Sequence, residues 1–407
     1  MKIAFLVHEF PSLSETFIHN QITGVLERGH DVSIFASGGR RDLNVNKELT
    51  QYDLLSYTVY PQIPKNKIFR VARALKIIIR FIATNPLPII RSLNFLKYGL
   101  RAGSLDLLYQ VVPFLENGPY DIIHCQFGSL GLEGLCIKQI LDGRVKLVTS
   151  FRGYDATQAV HCTPHIYDEL FGAGDLFLPV SDSLKDRIVE QGCAADKIVV
   201  LPSGIRCDKF AYSQKELVPN DSIQLITIAR LVEKKGIVYA IEAVARVIES
   251  GRLVNYVIIG EGVLGETLEQ LIEMRGLKGY VQLVGRKNAD EVMKYLQSAH
   301  ILIAPSITAN DGDQEGIPNV IKEAMAMGLP ILSTLHSGIP ELVKDGVSGF
   351  LVKERDVDAL AERLTYLIDH PESWSKMGRA GRFYVENYFD INKLNDQLIR
   401  LYLETTS

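Results

Sequence analysis

The sequence predicts an α/β protein with two doubly wound parallel sheets facing each other across a cleft. Three observations predict it. Short apolar runs alternate with helical patterns from residue 3 onward, the alternation pauses over the polar stretch 208–222, and then it restarts. A chain of 407 residues accommodates two domains of ordinary size, and a composition of 47% hydrophobic and 23% charged residues is that of a globular protein. In open α/β sheets ligands bind beyond the carboxyl ends of the strands, so two such sheets enclose a site between them.

In the first domain, strand 3–7 is followed by a helix over 15–28. Gly29-His30 ends that helix and Asp31 opens the next strand, 31–36, as a β-α-β unit requires. Further strands are expected at 121–124, 146–150, 176–180 and 197–201. The second domain brings strands at 224–229, 255–259, 280–284, 301–304, 330–333 and 349–352. The expected division is 1–205 and 206–384, with a last helix at about 385–407 returning to the first domain.

A net charge of −4 gives no general affinity for nucleic acid. The first apolar run breaks at His8-Glu9 without a small-residue cleavage site and reads as a buried strand, so a cytoplasmic protein is expected. Cys125, Cys136, Cys162, Cys193 and Cys207 are odd in number and scattered, which fits reduced, structural thiols.

One segment stands apart. Residues 54–105 contain no Asp or Glu and nine Lys or Arg. Arg70, Arg73, Lys76 and Arg80 recur at helical spacing and share a face, with Val71, Leu75, Ile78 and Phe81 elsewhere around the helix. Two readings stand side by side: a basic amphipathic helix lying on an anionic membrane surface, and an ordinary helix packed through its apolar side. No apolar run is long enough to span a bilayer.

The densest chemistry follows the strand at 301–304. A polar loop leads to Glu315-Gly316-Ile317-Pro318-Asn319, and Pro318 marks a helix start because its missing N–H would be unpaired there anyway. The amides around Gly316, Ile317 and Asn319 are then free for an anion at a positive helix end. Glu315 and Glu323 are placed at the mouth of this helix and about two turns down it. They read either as a clamp gripping two polyols that flank a phosphate group or as two ordinary helix carboxylates. Arg230, at a strand end, and Lys235 before Gly236 project toward the same cleft, where fixed donors suit a pyrophosphate.

Gly260-Glu261-Gly262-Val-Leu-Gly265 matches the dinucleotide fingerprint, yet the next strand ends at Gly285-Arg286 with no carboxylate for a ribose. It reads as a tight strand-to-helix turn facing the cleft. Asp311-Gly-Asp313 sits in a turn-rich loop, and Pro164 interrupts the helix that His161 and His165 would need to share, so no metal is assigned.

Together, Arg230 with Lys235-Gly236, the Gly260 turn, Glu315-Gly-Ile-Pro-Asn with Glu323, and Gly338-Ile-Pro-Glu341 with Gly346 and Gly349 resemble the retaining glycosyltransferases of family 4, which have the GT-B fold. The opening Phe10-Pro-Ser-Leu-Ser14-Glu15-Thr16 resembles the branch that builds bacterial exopolysaccharides such as colanic acid. The resemblance implies a nucleotide diphosphate sugar as donor and a saccharide, free or lipid-linked, as acceptor, with no metal or other cofactor. It implies that Glu315 contacts donor-sugar hydroxyls, Glu323 the ribose, and Arg230 and Lys235 the diphosphate, with Gly260, Glu261 and Gly262 also expected at the donor site. Two departures stand out. Ser14-Glu15-Thr16 replaces a diglycine and serves the phosphate or the acceptor, and Arg152-Gly153 replaces His-Gly, which implies that Arg152 faces the transferred sugar or the phosphate. An epimerase or phosphorylase of the same fold, or a non-catalytic partner subunit that binds nucleotide sugar, are the alternative readings.

Overall fold

The computed structural model describes residues 1–12, 15–38, 52–217 and 222–407. Two six-stranded sheets are present, and every strand pairing is parallel. The first comprises β1 (Lys2–Glu9), β2 (Asp31–Gly38), β3 (Thr58–Val59), β4 (Ile122–Cys125), β5 (Lys146–Phe151) and β6 (Leu176–Pro179). The second comprises β7 (Ile223–Ile228), β8 (Val254–Ile259), β9 (Val281–Leu283), β10 (Ile301–Ala304), β11 (Ile331–Thr334) and β12 (Gly349–Val352). Their orders, β3-β2-β1-β4-β5-β6 and β9-β8-β7-β10-β11-β12, are the same doubly wound topology used twice. The central strands β1, β4, β7 and β10 are near-continuous apolar runs because helices cover both faces of each sheet.

The segment at 197–201 corrects the sequence reading. It follows a short 3₁₀ turn, Ala195–Lys197, and runs beside β6 with the Val199 and Leu201 amides donating to Phe177 and Pro179 carbonyls. The return bond to Val199 would have to come from residue 179, a proline with no N–H, so the ladder stays one-sided and no strand forms.

The chain crosses between the sheets twice, and the crossings are tied together. Ile205 N donates to Phe389 O and Ile391 N to Ile205 O. Beyond this bridge, the helix Ile391–Thr406 places Leu394, Leu398 and Tyr402 in the core of the first sheet's domain. Tyr402 Oη lies 2.5 Å from His124 Nδ1 at the end of β4.

The acid-free segment forms the helix Lys67–Phe81 and shorter turns of helix around it. Ala74, Phe81 and Ile89 pack on Leu108, Tyr109 and Val112 of the helix Asp106–Asn117. Basic residues flank this seam: Arg70 pairs with Asp106, the exposed Arg80 with Glu116, and Arg73 lies over the Tyr109 ring, while Lys76 is exposed. An apolar stripe of Ile68, Val71, Leu75, Ile79 and Ile82 is left on the outside. No described helix is long and apolar enough to cross a membrane.

Candidate active site

The site forms where β7 and β10 lie side by side and the strand order of the second sheet reverses. After β7 the chain leaves through Arg230 and makes the short turn Glu233–Lys235, which Gly236 closes. After β10 a polar loop runs to Pro318, the cap of the helix Asn319–Ala326. The buried face of that helix, Ile321, Ala324 and Met325, fixes it on the sheet with its N-terminus toward the cleft.

Glu315 lies in the loop just ahead of this helix, and Glu323 is in its second turn. This matches the expected placement, with Glu315 at the mouth and the helix starting directly after Pro318, whose backbone is extended (ψ 127°). Glu315 is almost buried, with Oε2 2.9 Å from Lys235 Nζ and Oε1 3.4 Å from Lys234 Nζ. Lys234 also pairs with Asp313 at 2.9 Å. Burial would raise the Glu315 pKa, but Lys235 and Lys234 outweigh it and hold the carboxyl down at about 2. Its Oε1 is buried and accepts no well-formed hydrogen bond. The amides of Gly316, Ile317 and Asn319 donate no hydrogen bond among the described residues. Arg230 is exposed, and its guanidinium has no protein partner among them. A carboxylate, cations and unpaired amides therefore converge where the strand order reverses, an arrangement able to bind a hydroxylated anion.

The glycines of the 260–265 turn serve close packing. A Cβ on Gly260 would fall 1.8 Å from Ala229 O and one on Gly262 2.5 Å from Leu231 O. These glycines let the turn press on the backbone flanking Arg230, while Glu261 points outward and pairs with Arg286 at 3.1 Å.

Glu323 is half-buried; burial of its carboxyl pushes it up to about 7, against the pull of Lys322. Burial pushes the neighbouring Lys322 down to about 7, and its Nζ donates to Asn319 Oδ1 and Ser203 O. Arg152 meets the same Ser203 from the other domain, with Nη1 2.7 Å from its hydroxyl. The guanidinium also donates to the Gln126 carbonyl and side chain and stacks 4.4 Å from the Phe17 ring centroid. Arg152 is thus engaged with the joint between domains. Glu15 caps the helix Thr16–Glu27 without a side-chain bond, and burial raises its pKa against the pull of Arg152. Thr16 opens that helix, and Ser14 lies outside the described residues.

The domains meet along this cleft. A Cβ on Gly316 would stand 2.6 Å from Arg152 O, so only glycine permits this approach. Glu341 accepts from the Asp182 and Ser183 amides, both at 2.9 Å, capping the helix Asp182–Glu190 of the other domain. Asp311, read as a turn residue, accepts from Gln158 across the cleft. Among the described residues no group of His, Cys, Asp or Glu is arranged to hold a metal.

Sequence reasoning missed Lys234, His336 and Glu354. Lys234 was visible beside Lys235 in Glu-Lys-Lys-Gly, but only the fold shows that both ammonium groups reach Glu315. His336 accepts from the Glu315 amide at 3.1 Å and Glu354 holds its other nitrogen, contacts between loops that no local spacing announces.

Residues 14–209 match the family model Glycosyltransferase Family 4, and residues 208–383 match Glycosyl transferases group 1. The WcaL protein of Salmonella typhimurium, named for colanic acid biosynthesis, is 35% identical over 98% of this chain and 99% of its own. The chain belongs to glycosyltransferase family 4. Another relative is AmsK of Erwinia amylovora, named for amylovoran biosynthesis, 35% identical over 96% of both chains. Among solved structures, a glycosyltransferase from Rickettsia africae superposes with a TM-score of 0.70 at 19% identity, covering 99% of this family 4 chain and 98% of that one. The Anabaena protein HepE in complex with UDP-glucose does so with 0.70 at 16% identity, covering 99% and 100%. At such identities these likenesses show the GT-B fold, as expected from the sequence.

Proposed function

We propose that this glycosyltransferase moves a hexose from a nucleoside diphosphate sugar to a saccharide acceptor, with retention at the anomeric carbon and without a metal. The observation that carries this reading is the Glu315 carboxylate held between Lys234 and Lys235, next to the unpaired amides of the helix start. In the reading, Arg230, Lys235 and the amides of Gly316, Ile317 and Asn319 receive the diphosphate, Glu315 accepts from the transferred sugar's hydroxyls, and Glu323 accepts from the ribose. A carboxyl held at about 2 is too weak a base to take a proton near neutrality, so Glu315 orients the sugar. The bond from the anomeric carbon to the diphosphate oxygen breaks while the acceptor oxygen bonds on the same face. The acceptor's proton passes to the departing diphosphate, whose charge the cations stabilise. The relatives WcaL and AmsK support a role in exopolysaccharide synthesis.

The same proposal extends to place. The exposed Ile68, Leu75 and Ile79 stripe lies beside the exposed Lys65, Lys67 and Lys76, the composition of a face that enters an anionic lipid surface. Docked there, on the inner face of the cytoplasmic membrane, the enzyme would meet a lipid-linked acceptor.

A thermal-shift screen of UDP-, GDP- and ADP-sugars identifies the donor, and a donor at a hundred times its Kd stabilises by about 2.7 kcal/mol. With that donor, Glu315→Ala is expected to keep its fold and lose turnover equivalent to ~3 kcal/mol. Full activity in this variant would overturn the site assignment.

A further inference from the structure

The loop that carries Glu315 is held from behind by buried groups that the transfer reading does not use. The Glu315 amide donates to His336 Nε2 at 3.1 Å. The His336 side chain is fully buried, and its Nδ1 lies 2.6 Å from Glu354 Oε1. Glu354 also accepts from the Thr308 amide at 2.8 Å and from the Thr308 hydroxyl, to which Gln314 Nε2 donates at 3.0 Å. The segments following β10, β11 and β12 are joined at one imidazole.

This geometry fixes the state of the ring. A backbone amide can only donate, so Nε2 must offer a lone pair; the carboxylate accepts, so Nδ1 carries the proton. The charged groups around the ring are Glu354 and Arg355 after β12, Glu315 and Asp313 after β10, and Lys234 and Lys235 after β7. Burial lowers the His336 pKa and Lys234 assists, against the pull of Glu354 and Glu315, which favours the neutral ring.

We propose that His336 is a positioning residue for Glu315: as a neutral acceptor held by Glu354, it fixes the backbone from which the Glu315 carboxylate reaches the transferred sugar, and its protonation releases that backbone. The inference rests on the donor-site reading of Glu315. A misplacement of about 1 Å near reacting atoms costs up to about 100-fold in rate.

The experiment measures kcat and KM against pH for the parent, His336→Leu, His336→Gln and Glu354→Gln, as hydrolytic release of nucleoside diphosphate, water standing in as acceptor, from whichever of UDP-glucose, UDP-galactose, GDP-mannose and ADP-glucose stabilises the protein. Glutamine offers a carbonyl acceptor near the Nε2 position and does not titrate. His336→Leu is expected to lower kcat by about 10- to 100-fold with donor KM within about threefold of the parent. His336→Gln restores most of kcat and abolishes the parent's loss of kcat at acid pH. Equal kcat in the Leu and Gln variants, or parental kcat in His336→Leu, overturns the proposal. Should His336→Leu not fold, Glu354→Gln carries the test: a displaced acid limb supports the proposal and an unchanged profile overturns it. Glu315→Gln separates the two levels. Parental turnover there defeats the donor-site reading, whereas lost turnover there with parental His336→Leu kinetics defeats the positioning role alone.

Discussion

Glu315 and Glu323 share a loop-and-helix unit and sit at opposite ends of the carboxyl range. Glu315, lowered from 4.5 to about 2, contributes stability that is present above pH 4.5 and is lost as pH falls toward 2. Glu323 is raised from 4.5 to about 7, so the fold binds more protons than the unfolded chain between those values. Its contribution to stability is therefore fullest below pH 4.5 and declines as pH rises to 7. A carboxylate accepts from two ribose hydroxyls at once, and the protonated acid accepts less well. Nucleoside diphosphate affinity should accordingly tighten more steeply as pH rises from about 6 to 8 in the parent than in Glu323→Gln, where only the terminal phosphate of the ligand titrates. Calorimetric titration at several pH values checks this, and an equal dependence over that range in the two proteins would count against the ribose role. Glu315, Lys235 and Arg230 were legible as residues because a strand-end cation and a proline-started helix each have a local signature. His336 was not, since its partners Glu315 and Glu354 are 21 and 18 positions away and meet it only through the sheet.

At the scale of elements, the helix Lys67–Phe81 shows what periodicity can and cannot fix. Spacing correctly grouped its basic residues, but a period does not say which side meets the neighbour. The helix packs through Ala74 and Phe81, Arg70 and Arg80 flank that seam in pairs with Asp106 and Glu116 of the adjoining helix, and a second apolar stripe is left outside. Changing Ile68, Leu75 and Ile79 to Ser together with Lys65, Lys67 and Lys76 to Glu should abolish sedimentation with phosphatidylglycerol vesicles. Donor-induced thermal stabilisation should be unchanged. Equal sedimentation of variant and parent would leave the face as packing surface. Residues 197–201 teach the same lesson on a sheet edge: Val and Leu content suggested a strand, and the absent N–H of Pro179, on the partner strand, prevented one.

For the whole molecule, the repeated strand order was legible because each β-α-β unit announces itself by alternation of short apolar runs and helices. The way the two units meet was not, because it depends on contacts between segments 51 to 159 residues apart: Glu341 capping the helix Asp182–Glu190, Asp311 receiving Gln158, and Ser203 taken by Arg152 on one side and Lys322 on the other. The Gly338-Ile-Pro-Glu341 motif thus serves domain docking, and the cleft it closes is lined by the Glu315 loop and the helix start. In the proposed reading this cleft holds a nucleoside diphosphate through Lys235 and the helix amides. Calorimetric titration of UDP, GDP and ADP into the parent and Lys235→Ala tests it most directly. One nucleotide should bind the parent with saturable heat and bind Lys235→Ala at least about tenfold more weakly, the loss of one charge-assisted bond. Binding of that nucleotide with equal affinity to both proteins, or of none of the three to the parent, would contradict it.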